Sequence, residues 1–422
     1  MPPWQITTSG IKPTLAFGLD KAGEGTLEIT SDWLDEEMEM SWMKEYVKKS
    51  DCGLTFLQTK GDAVKTILFS EEHFLKGKNI RPQFPGRNVG LMFGWETSVN
   101  PFMQFPAYKE IADLPMDQKF KILKDPLFKE KLLSQEPDFE SEIRARLADN
   151  PSNKTREEIA QDVALPTTIT SNYKTQFILG TPPNYEPKEE DSIAAIASRK
   201  DISELEVMYD EMLQNQGTNL IYAAFTPYEK YKLDFVEQAY RLKSSVAGGS
   251  DGGAHCGLIC DASMPTTNIS HWGRDREAGR KFPLEMLIKK QTKDTAETFG
   301  LFDRGEIKSG MLADINIIDF DKLNVSHPTM IHDLPLGGRR LVQDATGYIA
   351  TIKNGQVVSE NGKANGSLPG KLIRGKQICE VKTGISEVSL FDKTIRLLAV
   401  KVLSFVWRLT GKSMKTTIVS EA

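Results

Sequence analysis

Three short strand-like runs separated by two stretches of helical spacing restrict the fold of this chain most. Residues 25–31 (GTLEITS) alternate as a strand does, and 53–58 (GLTFLQ) and 79–84 (NIRPQF) are two further runs. Between them lie 35–49, with an acidic start and a lysine-rich end as the helix dipole prefers, and 62–76. Strand, helix, strand, helix, strand at this spacing predicts βαβ units and a parallel sheet.

Regularity weakens after 84. Residues 85–164 hold Gly- and Pro-containing loops and charged helical pieces such as 116–124 and 140–148, which predicts an insertion over one face of the sheet, or a lid. Strand character is expected again over 166–180 (PTTITSNYKTQFILG), then helices over 191–199 and 202–214. A strand is expected over 219–225 (NLIYAAF), a helix over 227–243, the last strand of the series over 245–249 and a long helix over 283–299. Beyond these the character changes. Residues 310–320, 347–353 and 356–360 read as strands, the last two joined by Asn354-Gly355, the strongest short hairpin signal. They predict a small antiparallel unit. Residues 366–375 form a Pro/Gly-rich exit.

The stretch 248–261 (GGSDGGAHCGLICD) follows the apolar strand and turns at once into glycines, a carboxylate and a histidine. A buried strand ending this way presents a carboxylate at its tip, with backbone free to approach a ligand. In a β/α barrel, chemistry sits at that end. Asp251 is then either a catalytic or metal-facing carboxylate, or the cap of a tight turn.

Composition narrows the function classes. A net charge of -5 over 422 residues, with no basic stripe carrying interleaved aromatics, argues against a nucleic-acid partner. Four scattered cysteines make no disulfide framework, so a reducing, cytoplasmic compartment is expected. Cys256 and Cys260 have no second pair to complete a zinc site and read as buried small residues. The N-terminus lacks the charged and apolar regions of a secretory signal. Residues 394–409 (TIRLLAVKVLSFVWRL) are too short and too charged to span a bilayer. They read as an interfacial helix touching a membrane surface, a partner-docking helix, or a helix packed on its own body.

Several motifs together resemble the amidohydrolase superfamily, in its D-aminoacylase (N-acyl-D-amino-acid deacylase) branch. They are Ser250-Asp251-Gly252 with His255, Trp272-Gly273-Arg274-Asp275-Arg276, Phe282-Pro283-Leu284-Glu285, and 292–300 (TKDTAETFG). Asp303-Arg304-Gly305, 310–319 (GMLADINIID), Asp333-Leu334-Pro335, 337–340 and 366–375 continue the match. Arg81-Pro82, Asn100-Pro101-Phe102 and Tyr185-Glu186-Pro187 resemble the branch more loosely. The resemblance implies an α/β fold, an incomplete TIM-like (β/α) barrel with a small C-terminal β-domain. It divides the chain into a partial barrel at 1–306 with an insertion at about 85–164, a β-domain remnant at 307–376, and an extension at 377–422.

The resemblance also implies chemistry. The family's barrel binds one or two divalent metals, usually zinc. A metal-bound hydroxide attacks an amide, and the last-strand carboxylate, here Asp251, takes the proton and passes it to the leaving amine. The substrate would be an N-acyl amino acid-like small molecule. His255 would hydrogen-bond it or orient Asp251. Arg274 and Arg276 would bind its carboxylate bidentately, or form structural ion pairs with Asp275 or Glu277.

The chain departs from the family in its histidines. There are five, His73, His255, His271, His327 and His332, and no His-x-His. Glu71-Glu72-His73 reads as solvated surface, and His327 and His332 as loop positions. The chain is expected to correspond to the later part of a full member, with Met1 an internal start, a split gene product or a misplaced gene start. A barrel lacking its early strands has two open edges, which predicts a homo-oligomer or a complementing chain. Two functions follow: a hydrolase of a non-peptide carbon–nitrogen bond, or a catalytically inactive homologue acting as a binding subunit.

Overall fold

The computed structural model describes residues 18–31, 33, 35–58, 64–226, 228 and 230–378. The expected helix over 394–409 lies outside the described residues.

The first part of the chain folds as the spacing predicts. It runs β1 (Thr26–Ile29), α1 (Glu36–Lys49), β2 (Gly53–Leu57), α2 (Val64–Leu75) and β3 (Ile80–Pro85). Asp35 starts α1 by accepting the Met38 amide, acids fill the first turn, and Lys48 and Lys49 close the last. Strand periodicity sends Leu27, Leu54, Phe56 and Ile80 to one face. There they pack against Met40, Met43, Tyr46 and Val47 of α1 and Phe69 of α2. Each such side chain contributes about 2 kcal/mol on leaving water. The other face carries polar groups: Gln83 donates to Glu28 at 2.8 Å and to Thr55 at 3.0 Å.

After β3 the chain leaves this sheet for more than a hundred and fifty residues. A strand not anticipated within the insertion, β4 (Val89–Phe93), pairs antiparallel with a distant strand at 221–226. Helices form over Met116–Leu123 and Phe139–Ala148, near the expected bounds. The strand expected over 166–180 is confined to β5 (Gln176–Ile178), because α3 (Arg156–Thr170) takes the first five of the preceding residues and a 3-10 turn takes Tyr173–Thr175. The reason is local. Thr155 and Glu158 form a capping box that commits the chain to a helix, and Pro166 is accommodated inside it.

The strand expected near 219–225 is β6 (Ile221–Thr226), yet it does not join the parallel sheet. It lies between β4 and β5 in an antiparallel sheet. Gly90 permits this: a Cβ there would come within 1.8 Å of the Tyr222 ring, so only glycine lets Tyr222 lie across β4.

The chain returns through α4 (Asp234–Tyr240) to β7 (Val246–Gly248), which pairs parallel with β3. The parallel sheet therefore has the order β1, β2, β3, β7. Phe84, Val236, Ala239, Tyr240, Trp272 and Leu287 form the core beside β7. After α5 (Met264–Ser270), the helix expected over 283–299 is broken at Thr292 (φ -115°, ψ -83°) into α6 (Leu284–Gln291) and α7 (Lys293–Thr298).

The antiparallel unit forms as read. β8 (Ile315–Ile318), β11 (Tyr348–Lys353), β12 (Gln356–Glu360) and β13 (Lys363–Ala364) make one four-stranded sheet, with β9 (Thr329–Leu334) and β10 (Gly338–Val342) as a separate hairpin between. Asn354 (φ 50°) and Gly355 (φ 78°) make the turn between β11 and β12. The hairpin β9–β10 places His332 on a strand rather than in a loop, where it meets Glu96 at 3.3 Å.

Candidate active site

The C-terminal ends of β3 and β7 lie side by side, since Pro85 is in register with Gly248. Gly248 is required for this approach: a Cβ would meet the Gln83 side chain at 2.4 to 2.7 Å. Gly249 follows at φ 79°, against Leu57 and Pro85. The chain then enters an exposed loop carrying Asp251 and His255. Both take positive φ, 32° and 46°, with Gly253 at 103° between them. Non-glycine residues held there are uncommon and concentrate where the surrounding structure fixes a functional shape.

The second half of the loop is tied down. Leu341, Ser98 and Met92 donate backbone amides to the carbonyls of Cys256, Gly257 and Leu258, at 2.7, 2.8 and 2.8 Å. Gly257 sits where a Cβ would fall 2.2 Å from the Ser98 hydroxyl. Cys52, Cys256 and Cys260 are free thiols. Cys260 is buried, and burial pushes its thiol up to about 11, which keeps it protonated and a poor nucleophile at neutral pH.

Two residues that the motif reading did not single out complete the geometry. Asp261 ends the loop, buried, with an oxygen 3.0 Å from Nη2 of the equally buried Arg87. Burial raises Asp261 to about 6, Arg87 pulls the other way, and the negative charge of Asp251 adds to the rise. Asp251 is thus close enough to act on Asp261 through space. The one sequence signal for Arg87 was its place, two residues past the end of a parallel strand.

Arg274 and Arg276 are engaged elsewhere. Arg274 holds Asp275 bidentately at 2.6 and 2.8 Å and donates to the carbonyls of Phe320 and Leu323. Arg276 is fully buried, 4.3 Å over the Trp272 ring, and bonds Glu186 through Nε and Nη2 and Glu237 through Nη1. These pairings use the donors that a substrate carboxylate would need. Burial alone would raise Glu186, but hydrogen bonds from His271, Arg276 and the Leu233 amide outweigh it and hold the group at about 2. His73 bonds the Phe69 carbonyl and lies against the Phe69 ring at a tilt of 39°.

The zinc that the resemblance implies does not fit the residues here. Among the described residues no three His, Cys, Asp or Glu side chains converge to hold a metal ion, whereas zinc takes at least three protein ligands. Asp251 and His255 are two, and Asp261 is committed to Arg87. A cavity of about 370 Å³ lies between α5, α6 and the small sheet, lined by residues including Ile269, Ile288, Met311 and Tyr348, and it does not include Asp251. No helix among the described residues is long and apolar enough to cross a membrane.

Neither curated proteins nor solved structures give a match to this chain. Residues 207–359 match the amidohydrolase family, a segment that takes in β6, β7, the whole Asp251 loop and most of the small sheet but leaves β1, β2, β3 and β13 outside.

Proposed function

We propose that this chain is an amidohydrolase-type protein hydrolysing a non-peptide carbon–nitrogen bond in an N-acyl amino acid-like small molecule. The observation that carries the reading is the place of Asp251. It stands just past the C-terminal end of a parallel strand, exposed, on a strained loop inside the segment that matches the family. In this reading β1, β2, β3 and β7 are part of a TIM-like barrel occupying 1–306, followed by a β-domain at 307–376 and an extension at 377–422. Strands from a second copy or a complementing chain lie against the outer edges of β1 and β7.

Asp251 takes a proton from the attacking water as the tetrahedral centre forms and returns it to the leaving nitrogen. His255, four residues on, hydrogen-bonds the substrate or steadies Asp251. Arg274 and Arg276 belong to the frame, because carboxylates of the chain already occupy them. The free thiols accord with a reducing, cytoplasmic setting.

The missing ligand set favours a second reading, a catalytically inactive homologue that binds an N-acyl compound or a partner. Assay of the purified full chain on N-acyl-D-amino acids, with and without added zinc, separates the two. Hydrolysis that falls about a hundredfold or more in Asp251→Asn is the expected result. Hydrolysis unchanged in that variant removes Asp251 from the chemistry, and no hydrolysis by the wild-type chain leaves only the second reading.

A further inference from the structure

The end of the Asp251 loop rests on a buried charge pair that the chemistry above does not use. Arg87 follows β3 by two residues and has no exposed side-chain surface. Its Nη2 donates to the Cys260 carbonyl at 2.9 Å and stands 3.0 Å from Asp261 Oδ1, while its guanidinium lies 3.7 Å over the Tyr185 ring. Taking two such charges out of water costs several kcal/mol for each ion, so the pair is a poor device for stability alone.

Its hydrogen bonding is also incomplete. Among the described residues, Arg87 Nε and Nη1 and Asn88 Oδ1 have no hydrogen-bond partner, and Asp261 Oδ1 meets Arg87 off the hydrogen-bond direction. Buried atoms left without a partner call for an explanation beyond the bonds themselves, whereas Glu186 and Arg276 satisfy each other. The position of the pair is what distinguishes it. The loop starts on Pro85, where Gly248 pairs and Gly249 packs, and ends on Arg87, which holds Cys260 and Asp261. Both ends of the loop are therefore fastened to one short stretch, Pro85 to Arg87, at the end of β3. A Cβ on Gly252 would fall 3.4 Å from that of Ala262, so the loop's start and end run close together.

We propose that Arg87 and Asp261 are positioning residues: Arg87 clamps the end of the 249–260 loop to the strand end that holds its start, and the Asp261 carboxylate sets the field at Asp251. The second half of this inference rests on reading Asp251 as the catalytic group. The charged and titratable groups facing Asp261 are Arg87, Asp251, Cys260, Tyr185 and Tyr222. Of these, Arg87 lowers Asp261 and Asp251 raises it.

Two measurements on the full chain test the proposal, and the first needs no substrate. Hydrogen exchange read by mass spectrometry compares wild type, Arg87→Met, Arg87→Lys and Asp261→Asn over the 249–261 peptide, with a peptide over β2 as the control. In Arg87→Met, exchange about tenfold faster in 249–261 with β2 unchanged is expected; exchange unchanged in 249–261 overturns the clamp. If Arg87→Met does not fold, Arg87→Lys and Asp261→Asn decide by the same criterion. The second measurement is the pH profile of hydrolysis. Asp261 gains its negative charge only as pH rises through about 6, so kcat of the wild type should show an inflection near pH 6 that Asp261→Asn lacks, with KM within about twofold of wild type. A wild-type profile with no inflection near pH 6, or an inflection that persists in Asp261→Asn, overturns the field. A wild-type chain that hydrolyses nothing, with a loop loosened in Arg87→Met, removes the hydrolase reading and the field together and leaves the clamp standing.

Discussion

Glu186 and Asp261 are both buried carboxylates beside an arginine, and they respond to pH in opposite ways. Glu186 is held down at about 2, so the stability it contributes is present above its ordinary value of 4.5 and is lost as pH falls towards 2. Removing Arg276 leaves that charge buried and partly unpaired. Arg276→Met should therefore cost about 3 kcal/mol at neutral pH, and the gap to wild type should narrow as pH falls from 4.5 to 2. Urea unfolding at a series of pH values measures both, and a gap that stays constant across that window contradicts the assignment. Asp261, raised from 3.8 to about 6, contributes stability that is present below 3.8 and lost as pH rises through 6. Asp261→Asn should remove that slope between about pH 4 and 6, which the same titration reads. The place of Asp251, just past a strand end, was legible in the sequence because a glycine-rich turn after an apolar strand announces itself locally. Arg87 was not, because its partner carbonyl lies 173 residues away and nothing in Gly86-Arg87-Asn88 points to it. Arg276 was legible as important and misleading as to role, since Glu186, 90 residues earlier, takes its donors.

At the level of elements, local signals succeeded where one neighbour decides and failed where a distant one does. The βαβαβ start, the helix over Glu36–Lys49 and the Asn354-Gly355 hairpin depend on periodicity, caps and turn chemistry, all contained in the segment. The residues 166–170 have strand-like composition, with threonine and isoleucine, but the upstream capping box overrides it. Thr155→Ala should destabilise α3 by about 1 kcal/mol, seen as a lower urea midpoint; no change would mean that packing of Ile159 and Val163 alone holds the helix. Strand β6 was visible as a strand, but its sheet was not, because pairing with β4 or with the parallel set is a choice made across the fold. Gly248→Ala tests the junction of β3 and β7. The added methyl meets Gln83 Cβ at 2.7 Å, which a side-chain rotation cannot relieve. A loss of about 1–3 kcal/mol is expected, together with faster exchange at the end of β7; wild-type stability would show that the two strands separate at little cost.

For the whole molecule, the decisive feature is a parallel sheet with two outer strands, β1 and β7, that pair on one side only among the described residues. All-parallel sheets are usually covered on both faces and closed or flanked at their edges. The polar row of Glu28, Thr55 and Gln83 lies on one face of this sheet and the helices cover the other. Sedimentation of the purified chain should accordingly show species larger than a monomer, and a clean monomer across the accessible concentration range would argue against strands supplied by a second copy.

The sequence by itself determined the parallel start, the antiparallel unit at the end and the glycine-bounded loop of Asp251, because periodicity, caps and turns are properties of neighbouring residues. Only the tertiary structure decided what those pieces meet. It put β7 against β3, withdrew β6 into a second sheet, enclosed Arg276 among carboxylates and set Arg87 under the far end of the Asp251 loop. Each of those outcomes is a burial or pairing between residues tens to hundreds of positions apart, where the cost of an unpaired charge or an unfilled contact selects the partner and the local sequence carries no record of it.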